Sequence, residues 1–186
     1  MVQQPHICAM CVRESIVRLR VVALALVVAA HASAAQATFR RADVDSAGQL
    51  RIMLSNDRVI RPSKDSGQVG VEQVALSRDH RTVGWAALYP NCCTSYPIPL
   101  ELVLLRSTGA RTVIRGDLPV WQWGFAADGK SVVIREAPVH GAAPAVYERR
   151  DIRTGHVIAT VTVDSTARAP ATLPEWARVA MPRRAP

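Results

Sequence analysis

The residues most able to do chemistry stand together in Leu88-Tyr89-Pro90-Asn91-Cys92-Cys93-Thr94-Ser95-Tyr96-Pro97-Ile98-Pro99. Prolines stiffen this stretch, tyrosines give it large amphipathic side chains, and two adjacent cysteines give it thiols. Adjacent Cα atoms lie about 3.8 Å apart across a trans peptide, whereas disulfides prefer roughly 4.4–6.8 Å. A Cys92–Cys93 bond would therefore be strained and easily reduced. Four readings of the pair stand open: a strained vicinal disulfide, separate thiols that pair with another chain, a thiolate metal site, and a buried inert pair. The metal reading needs further ligands, and beyond residue 37 the histidines are His80, His140 and His156. His140 lies in a second Gly-Ala-Pro-rich loop and reaches the cysteines only if the two segments stack in register. The candidate binding residues are Tyr89, Asn91, Cys92, Cys93, Tyr96 and His140. No metal-ligand set and no cofactor are expected.

Sequence motifs for catalysis are missing. The chain has no G-x-S-x-G, H-E-x-x-H, G-x-x-x-x-G-K-[ST] or G-x-G-x-x-G. A triad built from distant residues, such as Ser95 with His140, leaves no local signature. The expectation is a binding protein without catalytic activity. The alternative is a thiol-dependent redox or metal-binding protein that uses the vicinal pair.

The elements that must position this loop are strands. From residue 38 onward the apolar pattern has a period near two, and turn signals recur roughly every 8–12 residues, as in all-β folds. Strands are predicted at 50–54, 71–76, 81–88, 100–106, 111–115, 120–125, 131–136, 145–150 and 156–163. Residues 38–70 supply part of a further unit, with a hairpin of 49–55 and 57–61 around Asn56-Asp57. The chain also repeats. Residues 71–83 align without gaps onto 120–132, keeping Val, Gln, Asp and the final Val in place. Asp79-His80 and Asp128-Gly129 occupy the matching turns, where short polar residues and glycine tolerate positive φ. Downstream, Thr108-Gly109 and Thr154-Gly155 mark a second pair of matching turns. Each unit reads as strand, Asp turn, strand, variable loop, strand, Thr-Gly turn, strand. The cysteine loop is the variable loop of the first full unit, and 137–144 is that of the second.

At these residues the chain resembles a known family. Leu76-Ser77-Arg78-Asp79-His80-Arg81 and Phe125-Ala126-Ala127-Asp128-Gly129-Lys130 resemble the F-S-P-D-G-K turn of WD40-like β-propeller repeats of the Tol–Pal type. Arg150-Asp151-Ile152-Arg153-Thr154-Gly155 resembles their W-D-x-x-T-G segment. The resemblance covers residues 71–163. It departs from the pattern at Arg78, His80, Ala126 and Ala127. It implies blade-like units and a binding role rather than an activity. Residues 38–186 have room for about three blades, against the four to eight of closed propellers. The expected fold is all-β, with antiparallel four-stranded blade-like repeats, two clear and one partial. They form an open stack or sandwich rather than a full propeller.

Alternation assigns faces. Glu72, Val74 and Leu76 are expected on one face of their strand, with Val71, Gln73 and Ala75 on the other. Trp121, Trp123 and Phe125 are expected to share a face. Val74, Leu76, Val83, Trp85, Trp123, Phe125, Val132 and Ile134 are expected in the core. Trp121-x-Trp123 reads first as core packing and second as an aromatic ligand platform.

The ends differ from the middle. Arg13, Arg18 and Arg20 precede an apolar run over 21–30, followed by Ala-x-Ala at 32–34 and 35–37. That is the layout of a secretory signal peptide, and a run this short is half of what a membrane-spanning helix needs. Cys8 and Cys11 fall inside it. The domain expectation is a signal peptide at 1–37, a β-repeat domain at 38–168 and a C-terminal tail at 169–186. In the tail, 173–180 is expected to form a short helix with Pro174 at its first position, docking Trp176, Val179 and Ala180 on the sheet. The expected location is the periplasm or the exterior, with no transmembrane span after cleavage. The whole sequence carries a net charge of +8, nearly all of the basic side chains being Arg. This suits an anionic envelope component or an unknown protein as partner, with self-association open, rather than nucleic acid.

Overall fold

The computed structural model describes residues 37–140, 143–164 and 173–181. Residues 1–36, where most of the expected signal peptide falls with Cys8 and Cys11, lie outside the described residues, as do 165–172 and 182–186 of the tail. Among the described residues no helix is long and apolar enough to cross a membrane.

The chain forms three antiparallel sheets in sequence order. Strands β1 (Phe39–Val44), β2 (Leu50–Leu54) and β3 (Val59–Ile60) make the first. Strands β4 (Gly70–Leu76), β5 (Thr82–Tyr89), β6 (Ile98–Arg106) and β7 (Arg111–Arg115) make the second. Strands β8 (Val120–Phe125), β9 (Ser131–Glu136), β10 (Ala145–Asp151) and β11 (Val157–Val163) make the third. Every strand pairs with its sequence neighbour, so each sheet is a meander without crossovers. All nine predicted strands form, and the 49–61 hairpin turns at Asp57 with φ 62°. Strand β1 was not expected. A register shift between Phe39 and Arg41 breaks its alternation, so its apolar residues do not show a period of two.

The repeat holds in detail. His80 (φ 56°) and Gly129 (φ 65°) take the same left-handed position in the two Asp turns. Asp79 Oδ1 accepts from the Arg81 amide at 3.0 Å, and Asp128 Oδ1 from the Lys130 amide at 2.9 Å. Gly109 and Gly155 likewise both have positive φ in the Thr-Gly turns.

The sheets stack face to face. Phe39, Ile52, Val83, Trp85 and Val103 fill the layer between the first and second sheets. Leu102, Leu104, Ile114, Val120, Trp123, Val132 and Ile134 fill the layer between the second and third. A third layer joins Val133, Ala145 and Tyr147 to Leu173, Ala177 and Ala180 of the C-terminal segment. There a 3-10 helix spans Glu175–Ala180. The architecture is thus an open stack capped at one end. At the other end the outer face of the first sheet carries Arg41, Asp43, Arg51 and Met53, which are cross-strand partners there.

Two β-bulges correct the face assignments. In β4 the register shifts between Glu72 and Ala75, and in β8 between Val120 and Gln122. A bulge inserts an extra residue and resets which side each later residue faces. Val71 therefore packs on the same layer as Val74 and Leu76, while Ala75 packs on the other. Val120 joins Trp123 and Phe125, and Trp121 is turned away, its Nε1 donating to the Ala137 carbonyl at 2.9 Å. The two indoles therefore do not form a shared platform. Trp123 instead meets Phe125 edge-on, with centroids 5.3 Å apart. Val83, Trp85, Trp123, Val132 and Ile134 are buried as expected, and Val74, Leu76 and Phe125 are half-buried against the core.

The helix also differs from expectation. Pro174 is its N-cap, with ψ at 147°, one position earlier than expected. That extended ψ leaves Glu175 as the first helical residue. Trp176 is half-buried and Ala180 fully buried. Val179 is 46% exposed, yet its Cγ2 covers Gly124, where a Cβ would come within 2.9 Å of it.

Candidate functional site

The cysteine loop joins β5 to β6, the longest strand pair of the second sheet. Its base is fixed by a polar network around the buried Glu101 carboxylate. Tyr89 donates its hydroxyl to Glu101 Oε2 at 2.9 Å, and Arg115 Nε donates to Glu101 Oε1 at 2.6 Å. Glu101 is only 5% exposed, so its charge needs both partners. Burial, then the Glu101 carboxylate, pushes the Tyr89 hydroxyl up to about 12. Beside this network Arg111 binds Asp65 through two hydrogen bonds and holds its carboxyl below the usual range.

Above the base the loop is shaped by short polar side chains. Asn91 Oδ1 accepts from the Cys93 amide at 3.3 Å, and Asn91 Nδ2 donates to Thr94 Oγ1 at 3.2 Å. Thr94 Oγ1 donates in turn to the Tyr96 carbonyl at 2.5 Å. Asn is suited to this because its side chain bonds backbone groups two residues on. The result holds both cysteines outward. Cys92 and Cys93 are exposed free thiols, with Sγ atoms 3.1 Å apart. The reading of a buried inert pair is therefore overturned. A hydrogen bond and the charge of Cys92 push the Cys93 thiol up.

The stacking of the sheets brings the second variable loop to the first. His140 Nε2 lies 3.4 Å from the Cys93 carbonyl oxygen, a contact that needs the proton on Nε2. His140 thus approaches the loop through backbone rather than through a thiol. Among the described residues no group of three or more His, Cys, Asp and Glu is placed to hold a metal ion. His80 is engaged in the first repeat's turn, its Nδ1 2.9 Å from the Phe39 carbonyl oxygen.

No protein-family model and no curated protein sequence matches the chain. The site must therefore be read from its own geometry.

Of the six residues singled out from sequence, Cys92, Cys93 and Tyr96 are exposed, and His140 stands against them. Asn91 shapes the turn, and Tyr89 spends its hydroxyl on Glu101. Sequence reasoning missed Glu101 and Arg115, which anchor the loop through Tyr89, and the neighbouring Asp65–Arg111 pair. Glu101 did leave a signal, an acid inside the apolar run Leu100-Glu101-Leu102-Val103. A second concave place was missed altogether. The bulges of β4 and β8 lie side by side and enclose a cavity of about 370 Å³ with Gln73, Gln122, Trp123 and Val179 on its wall. Gln73 sits at φ 50° and donates from Nε2 to the Trp121 carbonyl at 2.8 Å, tying the two bulges together.

Proposed function

We propose that this protein is an exported binding module of WD40-like repeat type, which recognises its partner with the two variable loops side by side along one side of the sheet stack. The observation that carries this reading is the contact of His140 with the Cys93 carbonyl, which joins loops from two repeats into one surface. Exposed Cys92, Cys93, Ser95 and Tyr96 stand on that surface, and the hydrogen bonds of Tyr89 and Arg115 to the buried Glu101 hold its base. Rigid presentation of aromatic and thiol groups lowers the entropy cost of binding. The chain's positive charge favours an anionic envelope component or acidic protein in the periplasm.

The test is site-directed photo-crosslinking in intact cells. A photoreactive residue at position 96 or 140 is expected to give one dominant adduct. The same residue at position 41 or 51, on the charged outer face of the first sheet, is expected to give none. Equal adduct patterns at all four positions would end this reading. A second reading, a thiol-based activity, is favoured by the 3.1 Å separation of the two exposed sulfurs. Loss of function on alkylation, with partner crosslinking intact, would move it ahead.

A further inference from the structure

We propose that Cys92 and Cys93 are a thiol–disulfide exchange site, with Cys92 as the attacking sulfur, Cys93 as the resolving sulfur and a low-molecular-weight disulfide as substrate. The proposal rests on the reading of the 89–99 loop as the functional surface, but it does not require a macromolecular partner. Three features carry it. Both thiols are exposed, so a disulfide in solution can reach them. The sulfurs stand 3.1 Å apart, so the second step is intramolecular and needs no chain rearrangement beyond the loop. The hydrogen bond and charge of its neighbour Cys92 push the Cys93 thiol up, which suits Cys93 to the resolving step. The thiolate is the attacking species in exchange.

The steps balance without another reagent. Cys92 thiolate attacks one sulfur of the substrate, the substrate's S–S bond breaks, and the first leaving thiolate takes up a proton. Cys93 then gives its proton to solvent and attacks Cys92 Sγ. The mixed bond breaks, the second thiolate leaves and is protonated, and the Cys92–Cys93 bond forms. Two protein thiols are oxidised and one disulfide becomes two thiols. The closed ring bridges adjacent residues whose Cα spacing of about 3.8 Å is below what disulfides prefer, so the same site passes its oxidation on readily.

The experiment uses the full chain with Cys8→Ser and Cys11→Ser, so that only the loop thiols react. The reduced protein is mixed with oxidised glutathione, quenched with an alkylating agent in denaturant, and weighed intact. The expected product has lost two hydrogens, carries no glutathione and takes no label. Cys93→Ser should accumulate a single glutathione at Cys92. Cys92→Ser should react several-fold more slowly. Two bound glutathiones, a disulfide-linked dimer, or no reaction would each overturn the proposal. Exchange with a disulfide-bonded peptide but not with glutathione would overturn the small-molecule assignment. Crosslinking from position 96 in the Cys92→Ser Cys93→Ser protein separates this proposal from the binding reading: adducts that persist there leave binding intact even if exchange fails.

Discussion

Asp128 and Tyr89 are two ionisable groups that the fold shifts in opposite directions, and each ties stability to pH at its own end of the scale. Burial raises Asp128, but hydrogen bonds from the Lys130 amide, Arg149, and the Ser131 hydroxyl and amide outweigh it and hold the carboxyl at about 2. A carboxyl lowered on folding stabilises above its unfolded pKa and loses that contribution as pH falls. Acid titration should therefore lower the unfolding midpoint between about pH 4 and pH 2, and Asp128→Ala should flatten that part of the curve. At neutral pH the same substitution should cost about 1–3 kcal/mol, because the turn amides and Arg149 lose their acceptor. Tyr89 behaves in reverse. Its folded pKa is raised to about 12, so its neutral form is favoured, and that contribution is lost as pH rises from about 10. Ultraviolet titration of tyrosinate at alkaline pH should show a late-titrating component that is lost in Tyr89→Phe.

At the level of the element, the bulges matter more than strand propensity. Residues 71–74 and 120–123 are aligned in sequence, and both carry the bulge that turns one side chain out of alternation. Because the bulge is repeated, Trp123 faces the layer between the second and third sheets and reaches over Gly84 of β5. A Cβ at Gly84 would stand 2.5 Å from Trp123 Cη2 and 2.9 Å from Leu104 Cδ2. Gly84→Ala should therefore cost about 1–3 kcal/mol through overpacking, read as a lower urea midpoint with an unchanged slope. Strand ends were legible because Asp, Gly and Thr-Gly turns punctuate them. Faces were not, because a bulge leaves no residue type that marks it in one sequence.

For the whole molecule, the question is what ends an open stack of sheets. The first sheet presents charged side chains outward and needs no cover. The third sheet presents Val133, Ala145 and Tyr147, and the C-terminal segment covers them with Leu173 and with Ala177 and Ala180 of its 3-10 helix. Leu173 is 3% exposed, so Leu173→Ala should cost about 2–5 kcal/mol, measured by denaturant unfolding. Stopping the chain at residue 172 should expose the third layer, giving a protein that binds a hydrophobic dye and self-associates.

The sequence by itself determined the repeat, its turns and the strands between them, since a period of two and fixed turn chemistry are local properties. It also marked the loop with Cys92, Cys93, Tyr96 and Asn91, because rare residue types close together need no fold to be noticed. Only the tertiary structure decided that His140 reaches this loop, since the contact spans residues 93 and 140 and depends on how two sheets stack. It also decided that Trp121 and Trp123 part company and that Glu101 anchors the loop. Each of these depends on sidedness or on long-range packing, and neither is written in the order of residues along one strand.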